Sequence, residues 1–371
     1  MNEFVFKNHT VYLDDNGDRI VKANDSSFHL AFRASDGYTQ KWGRKFEDDP
    51  LMCPFGPEIA DIEITTRCSG IRDIRGCRRR CGFCYKQRGS IGDNMSFNTF
   101  KTIFDKITKN KTLTQIAFGT DASLISNPDI WRIFDYCLEN NVKPNVTVAD
   151  IDSSTARSLV ERCGAVSVSW YPLIDKNRCY ASIEHLTRIS KELNKNLQVN
   201  MHVLLAEELL PYYDELIHDI KTDDRLKDLN SVVFLSLKQV GRGIHFNRLS
   251  KEDYEKLMDK FFESKIMFGM DSCTCHKFMQ YLRRIGKLYT YKGYLESCER
   301  LLFSCYINVH GDLFPCSFME GSEGWEEGVS VLEADDFEKD VWYHPRVVAD
   351  RKISEEMILS GGCNDCPRYE I

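Results

Sequence analysis

The sequence predicts an α/β protein built around a partial, open barrel of six β-α units. A small β-rich appendage precedes it and a smaller α+β unit follows. Three observations carry this. Between residue 58 and about residue 240, six strand-like runs alternate with amphipathic helical stretches, the pattern of a parallel sheet with right-handed crossovers. Pro50, Pro54 and Pro57 punctuate the chain just before that region, and clustered prolines mark boundaries. After residue 265 the alternation breaks down, and seven of the 15 cysteines fall there. The expected units are 1–57, 58–264 and 265–371.

In the first unit, Phe4-Val5-Phe6 and Val11-Tyr12-Leu13 read as short strands. Asp14-Asp15-Asn16-Gly17-Asp18 reads as a hairpin turn, because Asn-Gly accepts the positive φ of a tight loop. The six strands of the middle unit are expected at 59–64, 113–118, 142–148, 165–170, 197–205 and 232–237. One helix should start after Ser96, a good N-cap. Another should start at Asn127-Pro128, where a cap precedes a proline. A third is expected over about 179–193 and a fourth over about 207–221. Six units are too few for a closed eight-stranded barrel, and chemistry in such folds belongs at the C-terminal ends of the strands.

Composition narrows the function. With 42% hydrophobic and 12% aromatic residues the chain is globular. A net charge of −7 argues against holding nucleic acid by bulk charge, although Arg78, Arg79 and Arg80 form a local basic patch. No apolar run reaches the roughly 18 residues that span a bilayer. Met1-Asn2-Glu3-Phe4 lacks the basic and apolar start of a signal peptide. No membrane partner and a cytoplasmic location are therefore expected. In a reducing compartment, closely spaced cysteines serve as metal ligands more readily than as disulfides. Cys53, Cys137, Cys163 and Cys179 stand alone and read as buried thiols.

The first cysteine group follows the first barrel strand. The chain reads Thr65-Thr66-Arg67-Cys68, then Cys77-Arg-Arg-Arg-Cys81-Gly-Phe-Cys84. Three thiolates on one loop can hold three irons of a [4Fe–4S] cube and leave the fourth open. With Phe83 before the last cysteine and the β-α units behind the loop, this stretch resembles the radical S-adenosylmethionine superfamily over roughly residues 58–245. The resemblance implies a partial TIM-like barrel and an S-adenosylmethionine bound to the open iron. Family spacing selects Cys77, Cys81 and Cys84, whereas placement straight after the strand selects Cys68 in place of Cys77. Both remain open. A zinc site is the bland alternative, but zinc favours four closed ligands. By position, the resemblance also implies a cofactor-binding role for Phe83 and for the Gly119-Thr120-Asp121 turn, with Asp121 on the methionine ammonium. Thr147, Ser169, Asn200 and His202, at or near later strand ends, are candidates for the ribose, the carboxylate or the substrate. Arg242, in a glycine-flanked turn, is a candidate for a carboxylate or the nucleoside.

The second group lies in the tail. Cys298, Cys316, Cys363 and Cys366 flank an expected hairpin, 306–309 and 313–314, turned at His310-Gly311-Asp312. A cysteine, a glycine ahead of a second cysteine, and a distant C-x2-C pair resemble the twitch domain, the short relative of the SPASM domain. That implies one auxiliary [4Fe–4S] cluster closed by four cysteines, with a zinc ribbon as the alternative. Cys305 reads as a strand residue. Cys273 and Cys275 are unassigned: ligands, a hydrogen-atom donor, or buried thiols.

The resemblance implies reductive cleavage of S-adenosylmethionine to a 5′-deoxyadenosyl radical and hydrogen abstraction from a substrate. The expected substrate is a ribosomally made peptide or a protein side chain, so the enzyme would be a peptide maturase of oxidoreductase or peptide-modifying type. The appendage and the basic loop would offer docking surface. A small molecule such as an amino sugar is the alternative substrate, and a non-catalytic zinc module the alternative class. A flavodoxin- or ferredoxin-type protein is the expected electron donor.

Overall fold

The computed structural model describes residues 1–359 and Cys366. Its first five strands are β1 (Asn2–Val5), β2 (His9–Leu13), β3 (Arg19–Ala23), β4 (His29–Arg33) and β5 (Tyr38–Trp42), an antiparallel meander in sequence order. The expected turn joins β2 to β3. Asp14 accepts from the N–H groups of Asn16 (3.0 Å) and Asp18 (2.8 Å), and Gly17 takes a φ of +92°, which costs glycine little. Val11, Val21 and Leu30 point to one face and form a small core with Phe55, Leu302 and Phe303.

The barrel follows. Its elements are β6 (Ile59–Glu63), the short pair β7 (Ile71–Arg72) and β8 (Arg78–Arg79), α1 (Phe97–Ile107), β9 (Gln115–Gly119), α2 (Ile130–Glu139), β10 (Lys143–Val148) and α3 (Ser153–Arg162). Next come β11 (Ala165–Ser169), α4 (Lys176–Glu192), β12 (Gln198–Leu205), α5 (Leu210–Thr222), β13 (Ser231–Ser236), α6 (Lys251–Ser264) and β14 (Phe268–Met270). The strands β6, β9, β10, β11, β12, β13 and β14 are neighbours in that order, all parallel. All six expected strands are present, and β14 adds a seventh.

Side chains alternate with period two along each strand. Ile116, Phe118, Val146, Val148, Val166, Val168, Met201 and Phe234 pack under the helices and are at most 4% exposed. Burying each such side chain is worth roughly 1.5–3 kcal/mol. The residues between them, Ala117, Thr147, Ser169 and His202 among them, line the barrel interior.

The last elements are α7 (Cys275–Arg284), α8 (Leu288–Tyr291), β15 (Ser304–Ile307), β16 (Asp312–Phe314), β17 (Val329–Ser330) and α9 (Pro345–Leu359). The expected tail hairpin forms as β15 and β16, turned at Gly311 with φ +89°. It continues the barrel sheet, because β15 lies parallel to β6 on the side away from β9.

The N-terminal sheet seats against the N-terminal ends of the barrel strands. The buried Arg19 guanidinium donates to the carbonyls of Lys111 (2.9 Å), Leu113 and Asn141 (2.9 Å), all just ahead of β9 and β10. Asn196, ahead of β12, donates to Ser35 O (3.1 Å). The cysteine loop leaves the opposite end of β6. The appendage therefore lies remote from that loop, not beside it as a docking surface would. No helix among the described residues is long and apolar enough to cross a membrane.

Candidate functional site

A cavity of about 450 Å³ opens at the C-terminal ends of the barrel strands. Cys68, Cys81 and Cys84 line it, together with Phe83, the turn from Gly119 to Asp121, Thr147, Ser169 and His202. Cys77 does not. It sits exposed at the tip between β7 and β8, where Asp73 accepts its N–H (2.9 Å) and donates an N–H to its carbonyl (2.8 Å). The hairpin of β7 and β8 is an excursion inserted between Cys68 and Cys81.

The backbone around the three cavity cysteines is braced from several sides. Cys68 donates its N–H to Gly89 O (2.6 Å), and its sulfur accepts the Gly70 N–H (3.4 Å). Tyr171 lines the cavity close to Cys81 and Ser169. Burial pushes the Cys81 thiol up to about 11, with Tyr171 pulling against that. Arg88 pairs with Glu63 and donates to Thr120 O, tying the end of β6 to the turn after β9. Gly119 is required there by close approach: a Cβ would lie 3.1 Å from Glu63 Cα.

Several expected ligand contacts have other partners. Arg242 donates to Cys81 O (2.9 Å) and Arg88 O (3.2 Å) through its guanidinium, and its N–H donates to Cys84 O (3.1 Å). It braces the cysteine loop and does not line the cavity. The preceding Gly241 has φ +60°, and a Cβ there would run into the Tyr85 carbonyl. Asp121 lines the cavity, but its carboxylate accepts the N–H groups of Ser123 (3.4 Å), Ile125 (3.4 Å) and Ser126 (3.1 Å), so it closes its own turn. Asn200 sits one pleat nearer the strand starts than His202. Its Oδ1 accepts from Asn230 and Ser231, both at 2.8 Å, and it is not part of the lining. Phe83 packs on Phe246 with ring centroids 4.1 Å apart.

Other lining residues were not singled out from sequence. Tyr171, Lys238 and Asp271 each lie one or two residues past a strand end, and that position was the available signal. Lys238 reaches Cys273 and packs over the Phe318 ring at 4.3 Å. Burial opposes its charge, but Cys273 and Asp271 outweigh that and hold its pKa above the ordinary lysine value. Lys86 donates to Tyr306 Oη (2.7 Å), and Tyr306 donates to Glu63 (2.8 Å).

The tail cysteines gather beside this cavity. Cys298, Cys316 and Cys366 lie within one another's electrostatic reach, and Cys273 joins them through Cys298 and Cys316. Burial pushes Cys298 and Cys316 up to about 11 and Cys273 up to about 12. Cys363 lies outside the described residues. Cys275 is buried at the start of α7, and Cys305 is buried on β15. Among the described residues no three His, Cys, Asp or Glu side chains converge as around a single metal ion.

No family model and no curated protein matches the sequence. Solved structures do match by shape. SuiB of Streptococcus suis, determined bound to the precursor peptide SuiA, aligns over 94% of this chain and 90% of its own, with a TM-score of 0.61 at 13% identity. BtrN, determined with AdoMet and 2-DOIA, aligns over 81% and 87% with a TM-score of 0.41 at 12% identity. Over nearly its whole length, then, this chain has the fold of SuiB.

Proposed function

We propose that this chain is a radical S-adenosylmethionine enzyme acting on a ribosomally made peptide or a protein side chain. The observation that carries the reading is the facing of Cys68, Cys81 and Cys84 into one cavity at the C-terminal ends of parallel strands. A soft, three-thiolate donor set suits an iron–sulfur cluster, and three ligands leave one iron free. When bound, such a cluster with S-adenosylmethionine supplies the reductive cleavage that yields a hydrogen-abstracting 5′-deoxyadenosyl radical. Cys68 is the third ligand in this reading, because Cys77 is exposed at a hairpin tip.

The chain's own residues hold and shape this site. Arg242 fixes the loop backbone at Cys81 and Arg88, and Arg88 ties the loop to the turn after β9. Phe83 against Phe246 forms an apolar wall, while Thr147, Ser169 and His202 offer polar contacts inside the cavity. The tail set of Cys298, Cys316 and Cys366 is assigned to an auxiliary [4Fe–4S] cluster, with Cys273 or Cys363 as its fourth ligand. Its neighbour Lys238 lines the cavity, so the auxiliary site borders the substrate space. SuiB's bound precursor peptide supports the peptide class. A flavodoxin- or ferredoxin-type donor completes the proposal.

The test is 5′-deoxyadenosine formation by anaerobically reconstituted protein under dithionite. Cys68→Ala, Cys81→Ala and Cys84→Ala should each abolish it, and Cys77→Ala should retain it. Undiminished cleavage in Cys81→Ala or Cys84→Ala would refute the assignment. Loss in Cys77→Ala with retention in Cys68→Ala would move the third ligand to Cys77.

A further inference from the structure

On the cavity wall, one carboxylate has neither a cation nor a hydrogen-bond donor among the described residues. The alternation along β6 turns Ala60 and Ile62 into the core, both 0% exposed, and turns Asp61 and Glu63 toward the interior. The two acids fare differently. Glu63 is met by Arg88, by Lys86 at 3.8 Å and by the Tyr306 hydroxyl at 2.8 Å. Asp61, one pleat deeper, has no hydrogen-bond or ion-pair partner among the described residues. Its side chain is open to the cavity, so water reaches it while the site is empty. A substrate that fills the cavity displaces that water, and a carboxylate stripped of hydration without a partner is costly. A ligand that brings a cation removes that cost.

We infer that Asp61 is a recognition residue that receives an ammonium or guanidinium group of the substrate. This rests on reading the cavity as the substrate chamber. The register sets the geometry. Asp61 pairs with Ala117 on β9 and with Tyr306 on β15, in the middle of the sheet. Cys68, Cys81 and Cys84 lie beyond the C-terminal end of β6. A cation seated on Asp61 therefore leaves its carbon chain rising toward the cysteines, so the reacting carbon lies several bonds from the charged group. Lys238 lies on the other side of the cavity, after β13, and repels a cation there.

The experiment uses the reconstituted enzyme with S-adenosylmethionine present. Nα-acetyl-lysine methylamide, Nα-acetyl-arginine methylamide and Nα-acetyl-norleucine methylamide are titrated in by calorimetry. At least one cationic probe should bind ten-fold or more tighter than the norleucine probe, and Asp61→Asn should abolish the difference. Thermal unfolding of the variant should remain cooperative, with a midpoint close to that of wild type, since Asp61 makes no hydrogen bond or ion pair among the described residues that the variant loses. The wild-type comparison stands whether or not the variant folds. Equal affinity for charged and neutral probes, or no binding of any, overturns the inference. So does discrimination that survives Asp61→Asn, or a variant that loses S-adenosylmethionine affinity but keeps probe discrimination. Cofactor cleavage without substrate, measured on the same wild-type preparation, separates failure of this inference from failure of the enzymatic reading.

Discussion

His202 illustrates how a single side chain records its surroundings. Its imidazole faces the barrel interior, and burial pushes its pKa down to about 4. The folded state thus takes up a proton less readily than the unfolded chain, whose histidines titrate near 6.5. The stability this provides is complete above about pH 6.5 and is lost as pH falls toward 4. His202→Gln should flatten that part of the profile by on the order of 1–2 kcal/mol in urea unfolding across this window. An unchanged profile would mean that water in the cavity hydrates the imidazolium. At this scale the lining of the cavity was partly legible: Cys81 and Cys84 were read from spacing, and His202, Thr147 and Ser169 from strand ends, and all five line it. Spacing favoured Cys77 because sequence separation does not reveal that β7 and β8 fold back on themselves as an inserted hairpin. The backbone partners of Arg242 and Asp121 were not legible for a related reason: carbonyls and N–H groups of turns compete for charged side chains, and a sequence does not display them.

Helices and strands were more legible than their ends. Ser96 caps α1 as expected, accepting the Thr99 N–H at 3.1 Å. The second helix begins later than its Asn-Pro signal suggests. Asn127 instead donates to Ile64 O (2.7 Å) and Met95 O (2.9 Å), binding the loop to β6, and α2 starts at Ile130. Its neighbour Asp129 accepts the Phe97 N–H of α1 at 2.9 Å. One helix is thus capped partly by the flank of the next. Ser96→Ala and Asp129→Ala should each cost about 1 kcal/mol of unfolding free energy. Because both act on the same α1 terminus, the double variant should lose less or more than the sum, a coupling that a double-mutant cycle measures. Strict additivity would show the two caps to be independent. Helix α3 went unread because only Ala156, Leu159 and Val160 face inward on it. β14 was missed because it is three residues long, and β15, though legible as a hairpin strand with β16, gave no sign of its parallel pairing with the distant β6.

For the whole molecule, the six-unit barrel was legible because each strand repeats the same apolar alternation and each crossover holds a helix. How the appendage sits on the barrel was not legible, since that depends on Arg19 finding carbonyls 92 to 122 residues away. Burial lowers its pKa to about 10, and it remains charged at neutral pH. Arg19→Met should leave three carbonyls short of a donor and cost roughly 3–5 kcal/mol, the range for breaking a buried charged contact. Limited proteolysis should then release residues of the first meander before the barrel unfolds. Simultaneous loss of both would show that the two cores fold as one cooperative unit.

That seating of the meander across the strand starts has a topological corollary. A tube open at both ends lets a polymer be pulled through it, so that successive positions pass the same point. Here the lower end is stoppered by a folded sheet bolted to the rim. Under the proposed function, a peptide substrate would present only a terminus or a bent segment from above and would leave the way it entered. Each modified position would then demand a separate docking event, so repeated modification of one chain is expected to be distributive, with singly modified intermediates released into solution.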